Sequence, residues 1–251
     1  MKIIIQFGLK RSGNHGISNL ILKSNNNFVH LNDLNDLDYN TFKNFLEKEG
    51  NLSIVDNVWT GLKKCQKVLI SLENKSVISL KKNIMDFSQE RNIRFIILLR
   101  NPYNNMASLY KYFLEKKIKT GLILLTQCIQ LWKEYCNYIL QSNNNCISII
   151  YDKFYSDVQY RREIFDILKI NYNEKYVNEI NGWGKTFFDL KANTTKNQDI
   201  FKRYLNFKND KKFIDYVFKD IELIELWNKI CEKFKINKDK QLIKIIYKYI
   251  A

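Results

Sequence analysis

At 251 residues, 45% hydrophobic and 14% aromatic, the chain can bury a substantial core, which excludes a disordered protein. Its 41 basic residues against 26 acidic ones give a net charge of +15; the lysines are scattered rather than clustered, which disfavours specific nucleic-acid binding and fits a small polyanion. No stretch approaches 18 consecutive apolar residues, which excludes a membrane span, and the opening MKIIIQFGLK has too short an apolar run for a secretory leader, so a cytoplasmic protein is expected.

The first predicted element is a buried strand, Ile3–Phe7. It runs into FGLKRSGNHG (residues 7–16), which holds three of the chain's eight glycines, and a helix is predicted from about Asn14 to Lys23. Strand, G-x-x-x-x-G, helix is the geometry of a phosphate cradle. Gly8 and Gly13 let the backbone curl so that successive N–H groups point inward, and the helix N-terminus adds its positive end. A nucleotide triphosphatase continues with Lys-Ser/Thr, the lysine for the β- and γ-phosphates and the hydroxyl for magnesium. Here Asn14-His15 follow Gly13, and the cations sit inside the loop as Lys10-Arg11, ahead of Ser12-Gly13. Such a loop suits an anion neutralised by protein rather than by metal; a plain strand–helix turn is the alternative reading of the loop alone.

Further strands are predicted at Phe28–Leu31, Leu52–Val55, Val68–Leu72, Arg94–Leu99 and Cys146–Ile150, with helical segments between most of them. Alternation of this kind specifies an α/β fold: a three-layer, P-loop-like parallel sheet flanked by helices. The echo LNDLNDLD (31–38) is read as a solvated turn, because it lacks the glycine and terminal glutamate of a calcium loop. Residues 94–110, RFIILLRNPYNNMASLY, form a buried strand ending at Arg100, a turn at the chain's only proline, Pro102, and a helix from near Asn104. Open α/β sheets bind ligands at strand carboxyl ends, so Arg100 and Ser108, eight residues later, can grip one phosphate from two sides. A surface salt bridge and an ordinary helix serine are the plainer readings of the two.

The five cysteines include no C-x-x-C pair, and with two histidines neither a zinc site nor a disulfide framework is expected. Cys128, Trp132 and Cys136 recur at helical spacing, as a buried stripe does. Beyond about residue 155 the pattern is almost wholly helical, with helices predicted over Tyr155–Leu168, Asp210–Phe218, Ile221–Phe234 and Lys240–Tyr249. No proline-rich linker interrupts the chain. One domain, 1–251, is expected, with a nucleotide-binding α/β core over 1–155 and a helical portion over 156–251.

A K/R-S-G loop after the first strand, joined to L-L-R-N-P with a serine eight residues beyond the arginine, resembles the sulfotransferase family, and in particular bacterial members with an R-S-G-N-H loop. The resemblance implies transfer from 3′-phosphoadenosine 5′-phosphosulfate (PAPS), leaving 3′-phosphoadenosine 5′-phosphate (PAP), to a hydroxyl or amine of an acceptor such as a glycan or small metabolite, with no metal. It implies that Lys10, Arg11, Ser12, Gly13, Asn14, His15 and Gly16 hold the 5′-phosphosulfate, Arg11 with Lys10 stabilising the leaving group, and that Arg100 and Ser108 bind the 3′-phosphate. ISIIYDKF (147–154) resembles the family's strand ending in Tyr-Glu-Asp, which assigns Tyr151 to the nucleotide. GWGKTFFD (182–189) and KRYLNF (202–207) resemble segments that close over the cofactor, which brings in Lys185, Thr186 and Arg203. The chain departs from the family's commoner pattern in having Asn14-His15 for Thr-Thr, Arg11 for lysine and Lys185-Thr186 for paired serines.

The base that deprotonates the acceptor is expected at a strand end. Glu73 follows VLISL, and ISLEN resembles a Ser-Tyr-Glu stretch of similar bacterial proteins; Asp56 after NLSIV and His30 at the end of FVH are the alternatives, and all three could instead be structural. A P-loop kinase-like enzyme and a non-catalytic nucleotide- or polyanion-binding protein remain competing functions. Nothing in the sequence speaks to oligomeric state.

Overall fold

A computed structural model of the chain describes residues 2–25, 27–32, 67–78, 92–141, 146–177 and 201–250. Five strands, β1 (Lys2–Gly8), β2 (Phe28–Asn32), β3 (Lys67–Glu73), β4 (Asn92–Leu99) and β5 (Cys146–Ile150), pair in the order β2-β3-β1-β4-β5, every pair parallel. The strands carry apolar residues without alternation, as strands covered on both faces must. Ile3, Ile5 and Phe7 of β1 enter one core, and Ile4 enters the other. Successive side chains of a strand point to opposite faces, so one apolar run feeds both layers.

On the first face lie α2 (Pro102–Glu115), α3 (Gly121–Leu140) and α6 (Ile221–Lys233), with α7 (Lys240–Ile250) beyond them. On the second lie α1 (Asn14–Ser24), α4 (Tyr151–Ser156) and α5 (Val158–Leu168). The stripe of Cys128, Trp132 and Cys136 is buried along α3. Burial pushes the Cys128 thiol up to about 11, so it stays protonated and inert. The three-layer fold anticipated from strand–helix alternation is the one formed; the predicted strand Leu52–Val55 lies outside the described residues.

Two predicted helices are broken where the sequence read them as continuous. Tyr155–Leu168 divides at Asp157, whose carboxylate accepts the Tyr160 N–H and caps α5, so α4 ends one residue earlier. Asp210–Phe218 becomes a helical turn, Lys211–Phe213, that widens into a π turn, Ile214–Phe218. Phe213 and Phe218 are both fully buried and meet edge to face there, with ring centroids 5.3 Å apart. The wider turn seats both rings in one core.

Register places the chemistry. Gly8 pairs with Glu73 across β3 and with Leu98 across β4. The loop after β1, the carboxylate at the end of β3 and Arg100 beyond β4 therefore emerge at the same edge of the sheet.

Candidate functional site

The loop after β1 is fastened by its carbonyls. Asn74 N–H donates to Gly8 O at 3.0 Å, Asn105 Nδ2 to Lys10 O at 2.9 Å, and Arg100 Nη1 to Arg11 O at 3.0 Å. Asn74 Oδ1 in turn accepts from the Lys10 N–H at 2.9 Å. Arg11 (φ 65°) and Gly13 (φ 105°) both adopt left-handed backbone. This curl delivers the chain into α1, which starts with no side-chain cap and no acid in its first turn. The partial positive charge of that helix end is therefore left for a ligand.

A cavity of about 700 Å³ opens over this loop. Its polar end is formed by Lys10, Arg11, Gly13, Asn14, His15, Gly16, Glu73, Arg100, Tyr151 and Arg203. The Tyr151 ring, 1% exposed, is its floor: the Arg100 guanidinium lies over it, 4.8 Å from the centroid, and Gly13 rests against its edge. Burial pushes the Tyr151 phenol up to about 12, against the pull of Arg100. Arg203 arrives from a 3₁₀ turn, Arg203–Phe207, nearly 100 residues further along. It is held by Asn104 Oδ1, which accepts its backbone N–H at 2.9 Å, and by Ser108 Oγ, which accepts from Nη1 at 3.1 Å. Burial, then Arg100 and Arg11, push the Arg203 guanidinium well below its usual pKa; Tyr151 and Asp152 only partly offset them. Guanidinium groups crowded at low exposure raise the free energy of the empty site, and an anion relieves it.

Some predicted site residues face inward. Ser12 Oγ donates to Asn14 Oδ1 at 3.2 Å, and Asn14 Nδ2 donates to Leu9 O at 3.1 Å and to Glu73 Oε1 at 3.0 Å. Asn14 thus positions the carboxylate of Glu73. His15 is 60% exposed, with Nε2 4.0 Å from Glu73 Oε1. Ser108 reaches the cavity through Arg203 rather than directly. Asp56, Lys185 and Thr186 lie outside the described residues.

His30 sits away from this cavity, its Nε2 2.9 Å from Ser71 Oγ. Burial, and then nearby His15, push its imidazole down from 6.5 to about 4. The folded protein therefore keeps it neutral where the unfolded chain takes up a proton. Its contribution to stability is complete above pH 6.5 and is lost as the pH falls towards 4. Thermal denaturation across this range should show stability falling with acid, and His30→Gln should flatten that fall; an unchanged slope would contradict the assignment.

Asn105 was not singled out in the sequence. Tyr112 stacks on the Arg11 guanidinium, 4.8 Å from ring centroid to Cζ, and fixes where that charge points. Asn104 and Asn105 are both 0% exposed on α2. Their signal was a pair of polar residues on a helix face that packing buries. From Tyr112 the cavity continues between α2 and α3, where its lining turns apolar.

No protein-family model and no curated protein matches the sequence. Among solved structures, the chain is similar to mouse sulfotransferase SULT7A1 complexed with PAP, at 14% identity and a TM-score of 0.52, covering 99% of this chain and 89% of that one. It is also aligned with the sulfotransferase domain of the Synechococcus PCC 7002 olefin synthase, at 13% identity and a TM-score of 0.42, covering 84% of this chain and 95% of that one. The second likeness is too loose to speak for the fold. The first shows that the chain has the fold of a sulfotransferase.

Proposed function

We propose that this chain, one domain throughout, is a sulfotransferase that moves a sulfuryl group from PAPS to a hydroxyl or amine of an acceptor. The observation that carries the reading is the convergence of Arg100 and Arg203 with the 10–16 loop on one cavity. A ligand with anionic groups at two places fits it: a cradle in which Gly13 has no room for a Cβ, and two buried guanidiniums beside it. PAPS supplies the activated sulfuryl group, and PAP is the leaving group. Lys10 and Arg11 offset the charge that develops on the leaving 5′-phosphate. The amides from Gly13 to Gly16 hold that phosphate, and Arg100 and Arg203 hold the 3′-phosphate, with Ser108 positioning Arg203. Lys185 and Thr186 are assigned to the cofactor by the resemblance alone.

Glu73 takes the acceptor proton in this reading. Asn14 holds its carboxylate at the cavity wall, in line with the loop. Glu73→Gln keeps the shape and removes the base. Turnover of PAPS against a panel of alcohols and phenols should fall by roughly 10²–10⁴, with PAP affinity within a few-fold of wild type. Unchanged turnover would move the base elsewhere.

Calorimetry with PAP, AMP and magnesium ATP tests the whole reading. Selective binding of PAP is the expected result. Equal affinity for AMP removes the 3′-phosphate site, and preference for magnesium ATP restores the kinase-like alternative, which the missing Lys-Ser/Thr after Gly13 disfavours. Tight PAP binding with no turnover of any acceptor would favour a binding protein.

A further inference from the structure

The cavity has a second end that the nucleotide does not explain. Between α2 and α3 it is walled mainly by Leu109, Tyr112, Phe113, Ile118, Leu124 and Leu131, with Gln127 and Cys128 also in its lining, a largely apolar chamber that begins where Tyr112 stacks on Arg11. Beyond Gln127 and the Tyr112 hydroxyl, such walls offer few partners to the hydroxyls of a free sugar. The chamber's outer wall is the α2–α3 turn, and this turn is firmly built. Lys116 N–H donates to Tyr112 O, Lys117 N–H to Leu114 O and Ile118 N–H to Phe113 O, each at 3.0–3.1 Å. Ile118 folds back onto the core, and a Cβ on Gly121 would lie 2.9 Å from that of Phe113. What the turn presents outward is therefore fixed. It presents Leu114, 52% exposed, and Ile123, 61% exposed, on either side of Lys116, Lys117 and Lys119, all exposed. The one acid there, Glu115, faces Lys111 at 3.5 Å.

We propose that this turn docks on an anionic lipid bilayer and presents the chamber to a membrane-borne amphiphile, whose apolar body enters between α2 and α3. Charge complementarity commits the surface to that partner: three lysines in four residues, a local run in a chain of net charge +15 whose lysines are otherwise scattered, flanked by two large apolar side chains. Lysines attract the anionic surface, and exposed leucine and isoleucine enter the interface beneath them. The docking stands by itself. The identity of the acceptor, an amphiphile with a terminal hydroxyl or amine, rests on the transfer reading above.

The test is sedimentation of the full chain with vesicles of phosphatidylcholine alone and with one-third phosphatidylglycerol, at 0.1 M salt. Binding to the anionic vesicles and not to the neutral ones is expected. Lys116→Ser/Lys117→Ser/Lys119→Ser should weaken it by roughly a hundredfold, at about fivefold per lysine, and Leu114→Ser/Ile123→Ser by about tenfold. Lys240→Ser/Lys244→Ser/Lys248→Ser, on α7, should change it less than twofold. No anionic binding overturns the proposal, as does an equal loss from the α7 variant or no loss from the apolar one, because diffuse charge would then be the cause. Dimerisation through the turn without vesicle binding also overturns it. All these side chains are exposed, so the variants should fold, which circular dichroism checks. PAP calorimetry on the same samples separates a failure of docking from a failure of the transferase reading.

Discussion

Arg100→Ala should erase the preference for PAP over AMP. Arg100 is 2% exposed at the end of β4; the Arg11 carbonyl and the face of Tyr151 hold its guanidinium, and its backbone carbonyl accepts from the Trp132 indole N–H at 2.9 Å. The backbone contact survives the substitution, so the strand end keeps its place. What is lost is a rigid charged donor in a largely desolvated site. Truncating one partner of a buried, hydrogen-bonded charge pair costs about 2–5 kcal/mol, or roughly 30- to 5,000-fold in affinity. AMP has no 3′-phosphate and should change by only a few-fold. The ligand-free protein should lose little stability, since removing Arg100 also relieves the repulsion on Arg203. Calorimetry with both nucleotides checks this: a parallel loss of AMP affinity would return Arg100 to a structural role.

Gly13→Ala should damage the loop more broadly. At φ 105° an L-residue is strained, by about 1–2 kcal/mol. The added Cβ would also lie 2.1 Å from Cε2 of Tyr151. That ring is buried under Arg100, so the loop must yield rather than the ring. Overpacking of this kind adds about 1–3 kcal/mol. The melting temperature should fall by about 5–15 °C, and PAP affinity by more than a hundredfold, because the displaced amides are the ones that would hold the 5′-phosphate. Tyr151→Leu in the same chain should recover part of the stability, since it removes the overlap but leaves the strained φ. A fully stable Gly13→Ala that binds PAP normally would remove the cradle from the argument.

The strands were legible because they are local. Ile3–Phe7, Val68–Leu72, Arg94–Leu99 and Cys146–Ile150 are short apolar runs, and each formed within one or two residues of its expected limits. Arg100 was legible for the same reason: a charge that directly ends a buried run must emerge at a strand terminus. The broken helices were not. Asp157 reads equally well as a surface residue of a continuous helix or as a cap, and only its bond to the Tyr160 N–H decides between them.

By itself, then, the sequence determined the five strands described, their parallel arrangement, and a cationic glycine loop set behind the first strand. Tertiary structure alone decided which side chains meet. It turned Asn14 towards Glu73, set Tyr112 on Arg11, took His30 away to Ser71 and brought Arg203 to Ser108 across some 95 residues of chain. Periodicity and capping report on residues within a turn or two of each other. Pairings across that distance are fixed only when strand register and helix packing settle together, and these depend on the burial of the whole core.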